Sequence, residues 1–153
     1  MLRVRAAKQV ILLFLVTISA YFIVFTLIED RRAENGPWQI TFTAEAGAPA
    51  IVIHQPKLGI QNVKLTFPGG AISTDTSQTI AFDTARETPF AVPFGQCVFL
   101  DTTSLPGNVT LQIHGHQIQL LPRVLTIDAK EQTWKSDVVI PLNANVPTAG
   151  QPK

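Results

Sequence analysis

The sequence predicts an all-β extracytoplasmic domain, an antiparallel sandwich or small barrel of about eight or nine strands, on a single N-terminal transmembrane α-helix. Three observations point there. Residues 9–28 run without a charge. From Trp38 onward apolar residues recur at every second position, the period of a half-buried strand. Turn signals built on Gly and Pro punctuate that pattern at fairly even spacing, as they do in sandwiches and barrels.

At about 1.5 Å per residue, a helix over 9–28 reaches roughly 30 Å, the thickness of a bilayer's hydrocarbon core. A secretory signal has a shorter apolar core followed by a small-x-small cleavage site. Here a cut after Ala20 would put Ile18 where a small residue is wanted, and more uncharged residues follow. The segment therefore reads as an uncleaved signal anchor. The sole cysteine, Cys97, is far from the N-terminus, which excludes a lipoprotein. Arg3, Arg5 and Lys8 precede the span, whereas Arg31 and Arg32 follow it among Glu29, Asp30 and Glu34. This bias favours a cytoplasmic N-terminus and a folded part outside the cytoplasm, the periplasm in a bacterium with the helix in the inner membrane.

The chain then divides into a short cytoplasmic N-terminus (1–8), the transmembrane span (9–28), a charged juxtamembrane connector (29–35), the β domain (36–142) and a mobile tail (143–153). The connector extends the helix until Gly36-Pro37 stops it. Phe25-Thr26-Leu27-Ile28-Glu29 matches the string that type IV pilins carry just after their processing site. In pilins that string opens the apolar helix; here it closes one, and Asp30, Arg31 and Arg32 follow. The pilin assignment is therefore set aside. Within the span Thr17, Ala20 and Tyr21 share one helical face, small and polar enough for close approach of a neighbouring membrane helix.

Beyond the connector, Trp38, Ile40 and Phe42 alternate with Gln39, Thr41 and Thr43, and Ile51 to Gln55 forms the return strand across a loop over 44–49. Val63, Leu65 and Phe67 mark the next strand, ended by Pro68-Gly69-Gly70, and a polar stretch over 73–78 reads as an exposed loop. Ile80 and Phe82 resume the alternation. Residues 90–101 are the most apolar run outside the anchor, and Pro93 and Gly95 within it predict a bend or an edge position. Val109, Leu111 and Ile113 lead into a hairpin whose two-residue loop is read as Gly115-His116, with Ile118 and Leu120 returning. Strands over 124–128 and 134–142 follow, separated by a polar turn over 129–132. Trp38 and Trp134, near the two ends of the domain, are read as core residues that close it.

Composition narrows the chemistry. Formal net charge is +1, and after Asn35 seven basic residues face eight acidic ones, which leaves no basic face for nucleic acid. One thiol closes no intrachain disulfide, and Cys97 in an apolar strand reads as structural. His114 and His116 are the weak metal candidates, but two imidazoles fall short of the three or four ligands zinc requires, and at a hairpin tip they read as exposed polar residues. With Met1 the only methionine and Cys97 the only cysteine, the blue-copper and binuclear copper ligand sets cannot be assembled. Asp128 and Glu131 belong to a solvated turn of mixed charge. No Gly-x-Ser-x-Gly elbow or phosphate-cradling glycine loop is present, so no catalytic residue and no cofactor is assigned.

The expectation is a non-enzymatic, single-span membrane protein that serves as an accessory or structural subunit of a larger membrane or envelope complex. Its partners would be the lipid bilayer and other membrane protein subunits. The alternative is a stand-alone membrane-tethered binding module for a small ligand, glycan or metal.

Overall fold

The structure is a computed structural model that describes residues 2–33, 35–71 and 77–143, with helix side chains described over 8–30. The chain divides into two compact units, 1–34 and 35–153. Arg3, Arg5, Arg31 and Arg32 lie outside the described side chains, and most of the expected tail lies outside the described residues.

The first unit is one α-helix, α1 (Leu2–Ala33). It outruns the apolar segment at both ends because its charged flanks contain no helix breaker, and Gly36 at φ 68° followed by Pro37 lies just beyond. Within it, Lys8–Asp30 is long and apolar enough to cross a membrane. Apolar side chains ring the helix rather than forming a stripe, and all of 8–30 is exposed.

The second unit is a two-layer β-sandwich, which resolves the expected choice between sandwich and barrel. One sheet has five strands: β1 (Gln39–Glu45), β2 (Ala48–Gln55), β3 (Ile60–Thr66), β4 (Gln78–Ala81) and β11 (Val139–Pro141), in the order β11-β3-β2-β1-β4. The other has six: β5 (Phe90–Val92), β6 (Gly95–Asp101), β7 (Asn108–Ile113), β8 (His116–Leu121), β9 (Val124–Ile127) and β10 (Lys130–Thr133), each paired with its sequence neighbours.

Among the described residues eleven strands replace the expected eight or nine, for two reasons. The apolar run 90–101 folds back on itself at Pro93-Phe94, pairing Val92 with Gly95, so the expected bend is a full hairpin. The polar stretch 130–133 pairs with β9 although it has no apolar alternation, because an edge strand needs only backbone partners. The sheets are not wholly antiparallel either: β11 runs parallel to β3, with Lys64 N–H donating to Val138 O at 2.8 Å and Leu142 N–H to Thr66 O at 2.8 Å.

Alternation decides which side chains meet between the sheets. Ile40, Phe42, Ile51, Ile53, Val63 and Leu65 face Cys97, Leu111, Ile113, Ile118, Leu120 and Leu125, all at most 2 % exposed. Each such side chain contributes about 1.5–3 kcal/mol by leaving water. Trp38 and Trp134 lie 5.2 Å apart between ring centroids, and their indole N–H groups donate to Gly107 O and Leu121 O. Trp38 is fully buried, as the core reading requires.

Candidate functional site

The two candidate histidines of the β domain lie at one hairpin, β7–β8, though not as the sequence reading has it. Ile113 pairs with His116, so the two-residue loop is His114-Gly115 rather than Gly115-His116. Both loop residues have positive φ, 48° and 84°, as a type I′ turn requires. The one-residue shift takes His116 off the tip and makes it the first residue of β8, on the inward face with Ile118 and Leu120. It is 3 % exposed, so the reading of both histidines as exposed tip residues is corrected.

His116 is held from two sides. Its Nδ1 lies 2.6 Å from Asp128 Oδ2, and its Nε2 lies 2.8 Å from the backbone carbonyl oxygen of Asn143. The ring thus lies between a carboxylate oxygen and a backbone carbonyl oxygen, one at each nitrogen. Asp128 is positioned by the β9–β10 turn, where Asp128 and Ala129 both have positive φ, and its Oδ1 accepts the Gln117 N–H at 2.9 Å. Asp128 therefore serves this clamp rather than a carboxylate pair with Glu131. Paired with a carboxylate, His116 has the arrangement of an oriented base, yet its second nitrogen is spent on the Asn143 carbonyl. As it stands, the dyad ties the end of the last strand segment to the β7–β8 hairpin.

His114 lies beside it in a different environment. Its ring packs against Phe67 at 5.3 Å and Phe94 at 5.9 Å between centroids. Nε2 is buried with no hydrogen-bond partner, and a Cβ on Gly70 would meet it at 3.1 Å. Burial, and then the neighbouring His116, hold its pKa below the ordinary 6.5. The ring borders an open recess of about 470 Å³ shared with Phe94, Gln96 and Gln112, where Gln96 Nε2 donates to Gln112 Oε1 at 2.8 Å. Among the described residues no three His, Cys, Asp or Glu side chains gather in a way that could hold a metal ion.

Cys97 sits on the strand beside this hairpin, opposite Leu111 of β7, and the singled-out residues of α1 belong to the other unit. Cys97 is buried on β6, donates weakly to Phe99 O at 3.4 Å, and has its thiol pushed up to about 11 by desolvation. On α1, Thr17 donates its hydroxyl to Leu13 O at 2.9 Å, and Tyr21 stacks on Phe25 at 6.3 Å. The helix itself thus satisfies the Thr17 hydroxyl, which leaves Ala20 and the exposed ring of Tyr21 to shape that face.

Sequence reasoning missed the Asp128–His116–Asn143 clamp. The signal was present: Ile118 and Leu120 face inward, and a period of two extends that face to His116.

No protein-family model matches this chain, and neither does any curated protein or solved structure.

Proposed function

We propose that this chain is a single-pass membrane protein whose β-sandwich, held outside the cytoplasm, serves as a non-enzymatic accessory or structural subunit of a larger membrane or envelope complex. The observation that carries the reading is α1: Lys8–Asp30 is apolar on every face and exposed along its length. A helix hydrophobic all round belongs in a buried core or in lipid. In lipid a helix satisfies its own backbone hydrogen bonds, and here the Thr17 and Thr26 hydroxyls also donate to carbonyls one turn earlier.

The alternative, a tethered binding module, is favoured by the recess at His114, where Gln96 and Gln112 offer uncharged hydrogen-bonding groups beside the Phe94 ring. Extraction of membranes with mild detergent separates the two readings. A subunit co-purifies with stoichiometric partners and runs at the size of a complex. A module migrates alone, and that result overturns the subunit reading.

A further inference from the structure

The sandwich has four edge strands, and three carry features that discourage pairing with another chain. β11 ends in Pro141, β10 begins Lys130-Glu131, and β5 is flanked by Pro89 and Pro93. Proline removes a donor, and charged side chains on an edge oppose sheet extension. The fourth edge, β4, reads Gln78-Thr79-Ile80-Ala81 and has neither.

Strand direction fixes which backbone groups are free there. Phe82 N–H donates to Trp38 O, toward β1. Alternation in an antiparallel ladder then turns Ile80 toward β1 as well, and turns the N–H and C=O of Thr79 and Ala81 to the open edge. Side-chain alternation agrees, since Thr79 Oγ1 meets Thr41 Oγ1 at 2.8 Å, while Ile80 packs against the core.

A groove of about 590 Å³ runs beside this edge, between β4 and the β5 edge of the other sheet. Ala91, Val92 and Pro93 supply an apolar wall, and Arg86, set 5.4 Å over the Phe90 ring, is the one charged side chain among the described residues lining the groove.

We propose that β4 is a docking edge that pairs, strand to strand, with an extended segment of a partner protein bearing a carboxylate opposite Arg86. Main-chain bonds to Thr79 and Ala81 supply affinity, and Arg86 with the small apolar wall selects an acidic segment with modest side chains. A second copy of this chain is the competing occupant, and the concentration dependence of amide protection separates it from a partner segment. The proposal rests on the interaction-subunit reading and names the surface and the kind of partner.

The test uses the full-length, isotope-labelled chain in lipid nanodiscs. The probes are two alternating Thr/Val hexapeptides, one ending in Asp with a free carboxylate and one ending in Lys amide. The acidic peptide is expected to bind saturably and several-fold more tightly, slowing amide exchange at Thr79 and Ala81. Thr79→Pro should abolish binding, Thr79→Val should retain it without the Thr41 hydroxyl contact, and Arg86→Gln should make the two peptides equivalent. The proposal is overturned if neither peptide slows exchange at Thr79 and Ala81, if wild type binds both equally, or if folded Thr79→Pro binds as wild type does. Protection of these amides that rises with protein concentration without peptide would assign the edge to a second copy and likewise overturn it. The titration needs no partner complex. A negative result beside an intact complex therefore sinks the edge proposal alone, whereas the absence of any complex sinks the subunit reading.

Discussion

At the end of the sandwich a single ring, that of His116, joins Asp128 on one turn to the Asn143 carbonyl that follows the last strand. Gln carries a single side-chain nitrogen, where the imidazole presents one to each of the two oxygens, so one contact is lost. His116→Gln is expected to cost about 1–3 kcal/mol, read as a lower denaturant midpoint and as faster amide exchange over 138–142. Asp128→Asn should add little to that loss in the double variant, since both changes remove the same contact. His114 carries the pH dependence. Its folded-state pKa lies below 6.5, so between the two values the unfolded chain binds more protons, and stability rises with pH across that window. Acidification through about 6.5 should destabilise the domain. Thermal melts from pH 5 to 8 should show a smaller slope for His114→Phe than for wild type; an unchanged slope would contradict the assignment. Cys97, with its thiol raised to about 11, should resist thiol reagents in the folded protein at pH 8 and react on unfolding. Its burial was legible from the apolar run around it, whereas the role of His116 was not. His116 was read in the wrong turn position, and a polar residue on an inward face shows its purpose only when its partners, here twelve and twenty-seven residues away, are brought to it.

The secondary-structure elements follow the alternation over most of the apolar stretches, whereas the strand expected over 134–142 is reduced to β11 (Val139–Pro141). Strands β1, β3, β7 and β8 stand where a period of two places them, and the expected bend at Pro93-Gly95 is there as a hairpin. What alternation does not set is turn chemistry. In the β7–β8 loop glycine was assigned to the first turn position, whereas the type I′ geometry puts Gly115 second and asks His114 for a positive φ. The same geometry at Ala46-Gly47 lets β1 and β2 run to within two residues of each other where a longer loop was expected. Gly47 has a positive φ and open space around it, so Asn there should be nearly neutral. Gly95 differs: a Cβ would sit 1.9 Å from Gln112 O, a backbone atom of the paired strand. Gly95→Ala must push β6 off β7 and should cost about 1–3 kcal/mol or more, so equilibrium unfolding should rank it well below Gly47→Asn. The strand β10 and the parallel pairing of β11 left no mark in the sequence, because both depend on backbone bonding at sheet edges rather than on an apolar pattern.

For the molecule as a whole, the division between an apolar helix and a β-rich domain was plain from charge and periodicity, and it recurs as two compact units. The sandwich needs no disulfide, since its core is lined from both sheets by fully buried aromatic and branched side chains and is joined at one place by the Trp38–Trp134 pair. The helix has no such core of its own, and its apolar surface calls for lipid or for other helices. Small substitutions on the face of Thr17, Ala20 and Tyr21 bear on that second possibility. If the subunit proposal holds, changing Thr17 and Ala20 to Leu should leave insertion intact and loosen association with partner helices, because larger side chains on this face keep a neighbouring helix from approaching closely. Co-purification in mild detergent reads that loss. The membrane placement itself is tested most directly by labelling a single engineered thiol, Lys135→Cys with Cys97→Ser, on an exposed stretch of the sandwich. A membrane-impermeant thiol reagent should label this protein in intact spheroplasts, and the labelled chain should stay with the membrane pellet after alkaline carbonate washing. Labelling only after lysis, or recovery of the chain in the carbonate supernatant, would contradict an anchored helix with the β-sandwich outside the cytoplasm.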